Sequence, residues 1–263
     1  MKSIKNIALW LGIVLYLVIA LAFVSEKHSN RICSHIEVHI QDSLKDQFIT
    51  KENITDFIHD LDEKVLGQPV KKINIRKLEQ LISQKPVIEQ TEVYFSGDGN
   101  LHIEIDQRNP ILRVNNQKGQ SYYIDAEGAI IPIRKNYSSH VLIASGEIIE
   151  FFELAQTQRL HCMNKPEHDK TYAICEIYEM AKFIQRDPFW QAQIEQIYLN
   201  EKGEYEIIPR VGAHLIKLGS FANYQEKFRN LKAFYKKGLN NVGWNQYLII
   251  NLKYDNQIIC SKR

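Results

Sequence analysis

The nearest approach to a metal centre in this chain is the set His161, Cys162, His168 and Cys175. Imidazole and thiolate are zinc ligands, but this spacing fits no zinc-finger pattern. His35 and His39 stand four apart, as two ligands on a helix would. They flank the alternation Ile36, Val38, Ile40, however, which places them on a strand with their rings outward, as a surface pair. Asp125 and Glu127 resemble paired carboxylates. Glycoside cleavage needs two such groups held across a cleft, and a turn ahead of Gly128 explains both acids more simply. No G-x-S-x-G, H-E-x-x-H, P-loop or G-x-G-x-x-G pattern occurs, and Ser-x-x-Lys is absent too. Enzyme activity is left without a candidate residue. The expectation is a protein with no catalytic residue, no metal and no cofactor.

A different chemistry is written at the C-terminus. Tyr247 to Tyr254 reads as a strand, Asp255-Asn256 as a tight turn, and Gln257 to Cys260 as a last strand. A final strand with nothing after it is expected at a sheet edge, where its free N–H and C=O groups are a template for another strand. Lys262 and Arg263 add charge that discourages indiscriminate pairing and favours an acidic partner. The competing reading is that Gln257 to Cys260 completes the core from an internal position.

Composition excludes one large class of partner. Of 263 residues, 33 are Lys or Arg and 31 are Asp or Glu, a formal net charge of +2 with the two signs interspersed. A nucleic-acid binder usually concentrates a basic excess. The four cysteines form no C-x-x-C pair and no disulfide framework. Cys162 and Cys175 are close enough in sequence to be bridged in an oxidising compartment, but connectivity is not written in the sequence.

From Asn6 to Ser25 there is no charge, and Ile7 to Val24 reads IALWLGIVLYLVIALAFV. A helix of about twenty residues rises about 30 Å, the hydrocarbon thickness of a bilayer. The apolar run is longer than a secretory h-region, although Ala20-Leu21-Ala22 has the form a signal peptidase accepts. Anchor and cleaved signal both remain open. The flanking charges favour an internal N-terminus only slightly, and either reading exports the rest of the chain.

Two blocks follow. In the first, a strand over Ile36 to Ile40 precedes a helix capped by Thr50 and running to Val65. A second helix, capped by Asn74, ends at Pro86. Val87 to Phe95 and Leu101 to Ile105 are strands joined by the turn Ser96 to Asn100. A three-stranded sheet covered on one face by two helices would bury this β-α-α-β-β pattern. The second block has short strands at Ile111 to Val114, Ser121 to Asp125, Ala129 to Ile133 and Val141 to Ala144. An irregular stretch from Ile148 to Met163 comes next, then a helix over Thr171 to Gln185. Strands at Ile194 to Leu199, Tyr205 to Ile208 and His214 to Leu218 precede a helix from Asn223 to Lys237. Asn223 and Glu226 suggest a capping box at its start. The fold class is therefore α+β: one N-terminal transmembrane helix, a β-α-α-β-β unit, then a mixed or antiparallel β-domain with flanking helices.

Read in order, several stretches resemble one family, the bacterial cell-division proteins FtsQ and DivIB. They are the anchor, the β-α-α-β-β unit with its likeness to a POTRA domain, Gln107-Arg108-Asn109-Pro110-Ile111, and Tyr123-Ile124-Asp125-Ala126-Glu127-Gly128 with Pro132. Leu218-Gly219 and Ile250-Asn251-Leu252-Lys253-Tyr254 complete the set. The resemblance implies residues 1–25 as a short cytoplasmic tail and transmembrane helix, 32–108 as the POTRA-like domain and 109–263 as the β-domain. It also implies a single-pass protein of the cell inner membrane, with a cytoplasmic N-terminus and the bulk of the chain periplasmic. Such a divisome scaffold recruits FtsB and FtsL and helps control septal peptidoglycan synthesis, with other division proteins met through the POTRA-like unit. FtsB would add a strand to Gln257, Ile258, Ile259, Cys260 and Ser261, with Lys253 and Tyr254 as the basic and aromatic contacts before the turn. Lysine cannot grip a carboxylate in the bidentate fork of arginine, and the tail before the helix is short. The alternatives are an exported POTRA-bearing module of outer-membrane or secretion assembly, and an envelope enzyme acting on peptidoglycan.

Overall fold

The computed structural model describes residues 10–19, 31–41, 48–61, 65–134, 138–155, 157–162, 173–239, 243–254 and 257–263. Two compact units divide after Gln107. Residues 10–19 are helical and exposed throughout. They are the described part of the long apolar segment; its remainder, with Ala20-Leu21-Ala22, lies outside the described residues. Among the described residues no helix is long and apolar enough to cross a membrane.

The first unit contains β1 (Ile36–Gln41), α1 (Lys51–His59), α2 (Ile75–Ser83), β2 (Ile88–Phe95) and β3 (Leu101–Gln107). Its sheet has the order β1-β3-β2, with β1 and β3 parallel and β2 and β3 antiparallel. Alternation decides the faces: Val38, Val93, Ile103 and Ile105 are buried on one side with Ile54, Ile58, Leu78 and Ile82 of the helices. Thr50 caps α1 as expected, accepting from the Asn53 amide while the Asn53 side chain accepts from Thr50 N–H. The helix stops at His59 rather than reaching Val65. The Asp60 and Leu61 amides close its last turn on Asp56 and Ile58. Asn74 caps α2 through the Lys77 amide.

The second unit is built on one mixed sheet. Its strands are β4 (Pro110–Asn115), β5 (Ser121–Asp125), β6 (Ala129–Pro132), β7 (Leu142–Gly146), β8 (Gln158–Arg159), β9 (Ile194–Leu199), β10 (Tyr205–Pro209), β11 (Leu215–Gly219), β12 (Tyr247–Asn251) and β13 (Ile259–Lys262). The order is β13-β12-β11-β10-β9-β7-β4-β5-β6-β8. The helices are α3 (Ala173–Arg186), α4 (Pro188–Gln193) and α5 (Tyr224–Phe234). Sequence periodicity passes over α4, although Asp187 caps it and Pro188 opens it. The irregular stretch after Ile148 is held by polar contacts instead of helix bonds. Gln120 pairs with both the amide and the carbonyl of Phe152, and the Glu150 carboxylate accepts from the Ile174 amide.

Four expectations in the second unit need correction. Asn223 makes no capping bond: its backbone is left-handed at φ 55°, and Glu226 pairs with Arg229 instead. Helix α5 ends at Phe234 and passes into a π-turn over Tyr235–Leu239. The last strand begins at Ile259, two residues later than read, and extends to Lys262, while β12 ends at Asn251 rather than Tyr254. Asp255 and Asn256 lie outside the described residues.

Candidate partner-binding edge

The acidic pair at Asp125 and Glu127 is a turn with a buried ion pair behind it. Asp125 accepts from the Glu127 and Ala129 amides and, at 2.9 Å, from Arg108, both side chains being almost wholly buried. Gly128 completes the turn at φ 82°, a conformation that suits glycine. Cys162 and Cys175 are joined in a disulfide. Their sulfurs are therefore not available as zinc thiolates, and the metal reading of His161, Cys162, His168 and Cys175 loses its soft ligands. His168 lies outside the described residues.

At the C-terminal end of the large sheet, β12 runs parallel to β11 and antiparallel to β13. Cys260 lies opposite Ile250 and Ile259 opposite Asn251. Period-two alternation then sorts the side chains. Ile258 and Cys260 pack against the core, whereas Ile259, at 46% exposure, and Ser261 face solvent. Burial pushes the free Cys260 thiol above its ordinary pKa, which keeps it protonated and poorly nucleophilic. Among the described residues no strand pairs with the outer side of β13.

The two residues expected just before the turn are placed differently. Lys253 Nζ pairs with the Glu204 carboxylate at the β9–β10 turn, and its amide donates to Asn251 Oδ1. The hydrogen bond from the Lys253 ammonium holds the Glu204 carboxyl below its usual range. The Lys253 stem lies across Gly219, where a Cβ would come within 2.9 Å of its Cγ; Gly219 also has φ 78°. This accounts for the Leu218-Gly219 stretch. Tyr254 is 56% exposed. Together with Gln257 and Ile258 it faces Asn223, Glu226 and Asn230 of the α5 segment across a groove of about 270 Å³.

Sequence reading passed over that α5 wall and over Leu248, which is 49% exposed on β12. A signal for the wall was present. Positions 223, 226, 227 and 230 recur at helical spacing as polar residues on one stripe of the helix. Leu248 is exposed because the pairing slips between Tyr247 and Ile249, and no local pattern announces such a bulge.

The second unit is a ten-stranded mixed sheet whose last strand, among the described residues, pairs only with β12, and a β-α-α-β-β unit precedes it in the chain: a class of α+β protein with a sheet edge open to a partner and no catalytic constellation assigned. A family model for the FtsQ/DivIB C-terminal related domain matches residues 109–261, and a model for the POTRA-like domain matches residues 31–106. No curated protein matches the chain. The chain belongs to the FtsQ/DivIB family. Its domains are scaffold domains, and its role is in cell division, as that of a membrane-associated protein acting through protein–protein interactions.

Proposed function

We propose that this protein is a membrane-anchored divisome scaffold whose β13 edge takes up a strand from an FtsB-type partner. Through FtsB and FtsL it helps control septal peptidoglycan synthesis. The observation that carries the reading is β13 itself, a strand paired on one side only among the described residues, with Ile259 and Ser261 facing solvent. Strand addition takes its affinity from main-chain hydrogen bonds and its selectivity from neighbouring side chains. Lys253, Tyr254, Gln257, Ile258, Ile259, Cys260 and Ser261 are the contact residues of this reading. Exposed Leu248 and the α5 groove extend them on either side. Lys253 enters the contact by exchanging Glu204 for a carboxylate of the partner.

The remaining parts of the reading concern place. The uncharged run ending at Ser25 serves as the single anchor, with the N-terminus cytoplasmic, and residues 109–263 act outside the cytoplasm. The Cys162–Cys175 bridge supports that side, because disulfides persist in oxidising compartments and are rare in the cytosol. Residues 32–108 would meet other membrane proteins of the divisome.

Successive amides along an extended chain point to opposite sides, so of Ile258, just before β13, and Ile259, its first residue, one amide points outward. Ile258→Pro and Ile259→Pro each remove one backbone donor, one of them the outward one, and both strain the chain at the strand start. At least one of them should abolish capture of FtsB by the full-length protein, a loss of about a hundredfold or more. Far-UV circular dichroism confirms that each variant is folded. Native affinity in both would remove the strand-addition model.

A further inference from the structure

Strands β1 and β3 lie parallel, with Glu37 directly opposite His102 and His39 opposite Glu104. Val38 and Ile103, the residues between, are buried on the opposite face. Glu37, His39 and His102 therefore converge on the solvent side of the three-stranded sheet. Glu37 Oε2 is 3.8 Å from His39 Nε2 and 3.5 Å from His102 Nδ1. One ligand atom from each of the three residues falls within 4.8 Å of the others.

Those separations fit a metal polyhedron. With metal–ligand bonds of about 2.0–2.1 Å, tetrahedral ligands stand about 3.3–3.4 Å apart. Shifts of a few tenths of an ångström bring Glu37 to that distance from both imidazoles. The His102 ring is already held: it stacks on Tyr94 within 6° at 5.3 Å, and on His39 within 4° at 6.3 Å. Tyr94 donates to Glu104 at 2.7 Å, which fixes the phenol ring beside His102. His102 is the most sheltered of the three ligands, with 18% side-chain exposure. Adjacent carboxylates Glu92 and Glu104 add negative potential on the same face.

We propose that Glu37, His39 and His102 form a binding site for a divalent transition-metal ion of the Zn²⁺ class on the open face of the first unit. Two imidazoles and one carboxylate suit zinc, copper or nickel better than the hard ions Mg²⁺ and Ca²⁺, which prefer oxygen ligands. The remaining coordination positions face solvent, open to water or to a side chain of another protein. Nothing in this site depends on the β13 reading, and either can fail without the other.

Zn²⁺ titration of the untagged full-length chain in detergent, followed calorimetrically, tests the proposal. One saturable site is expected at the cluster. His39→Ala and His102→Ala should each weaken it about tenfold or more, within the range that perturbing a metal site commonly costs. His59→Ala, on an exposed helix end outside the cluster, should leave it unchanged. Co²⁺ in place of Zn²⁺ should give a visible d–d spectrum that both cluster variants lose. Absence of saturable Zn²⁺ binding would overturn the proposal. So would binding that survives both cluster variants, or equal affinity for Mg²⁺.

Discussion

At the β8 end of the large sheet the last strand is two residues long and its surroundings are tied down; at the β13 end it is four residues long, with its outer side unpaired among the described residues. The closed end has the Arg108–Asp125 pair, the Leu160 amide on Gly128, the disulfide to α3 and a hydroxyl bond from Tyr178 to Ala126. Burial pushes the Tyr178 phenol up to about 12, so it remains a donor at any ordinary pH. The open end has Lys253 on Glu204 and the Arg263 guanidinium on the Ala213 carbonyl, both at the surface. Both ends face the hazard of a sheet edge. A short, cross-linked edge suppresses pairing; a longer and lightly held one leaves it available.

Breaking the closed end should cost stability without touching the open one. Asp125→Ala leaves the Arg108 charge buried and unpaired, a loss of about 3–5 kcal/mol. Denaturant unfolding measures it, and FtsB capture by the folded fraction should be unchanged. A cost below about 1 kcal/mol would mean that water or another acceptor satisfies Arg108.

Replacing Cys162 and Cys175 by serine removes a short loop closure, worth about 3 kcal/mol in the chain-entropy account. The same melts with and without reductant should differ for the parent chain and coincide for the variant. Diminished FtsB capture in the folded variant would show that the two ends are coupled.

The smallest effect belongs to Glu204→Gln. A surface pair contributes about 0–1 kcal/mol. Because Lys253 lowers the folded pKa of Glu204, this contribution is whole above the ordinary glutamate value. It is lost as pH falls through the lowered one. Freed of Glu204, Lys253 should capture an acidic partner strand severalfold more tightly in a binding titration. Weaker capture would make Glu204 the residue that positions Lys253.

Much of the fold is legible because its signals are local. Thr50 and Asn74 declare their helices by capping chemistry, and Ile194–Leu199 is readable as a strand from its composition. Alternation alone starts the last strand two residues early, because it continues back through Ile258, which packs on the core outside the β13 ladder. Asn223 has the right residue type for a cap but a left-handed backbone, and type alone does not reveal φ. The basic contact at Lys253 was visible, whereas its partner was not: Glu204 lies 49 residues away, brought in by the β10–β11–β12 pairing.

The amino-acid order by itself determined the two-block organisation, most of the strand and helix types, and the turn at Asp125 to Gly128. These follow from periodicity, caps and turn residues, which act over a few positions. Only the tertiary structure decided that β13 lies at a sheet end, that Asp125 is neutralised by Arg108, and that Glu37 meets His102. Strand order and register join residues far apart in the chain. They are set by which pairing buries the whole core, and no short window contains that information.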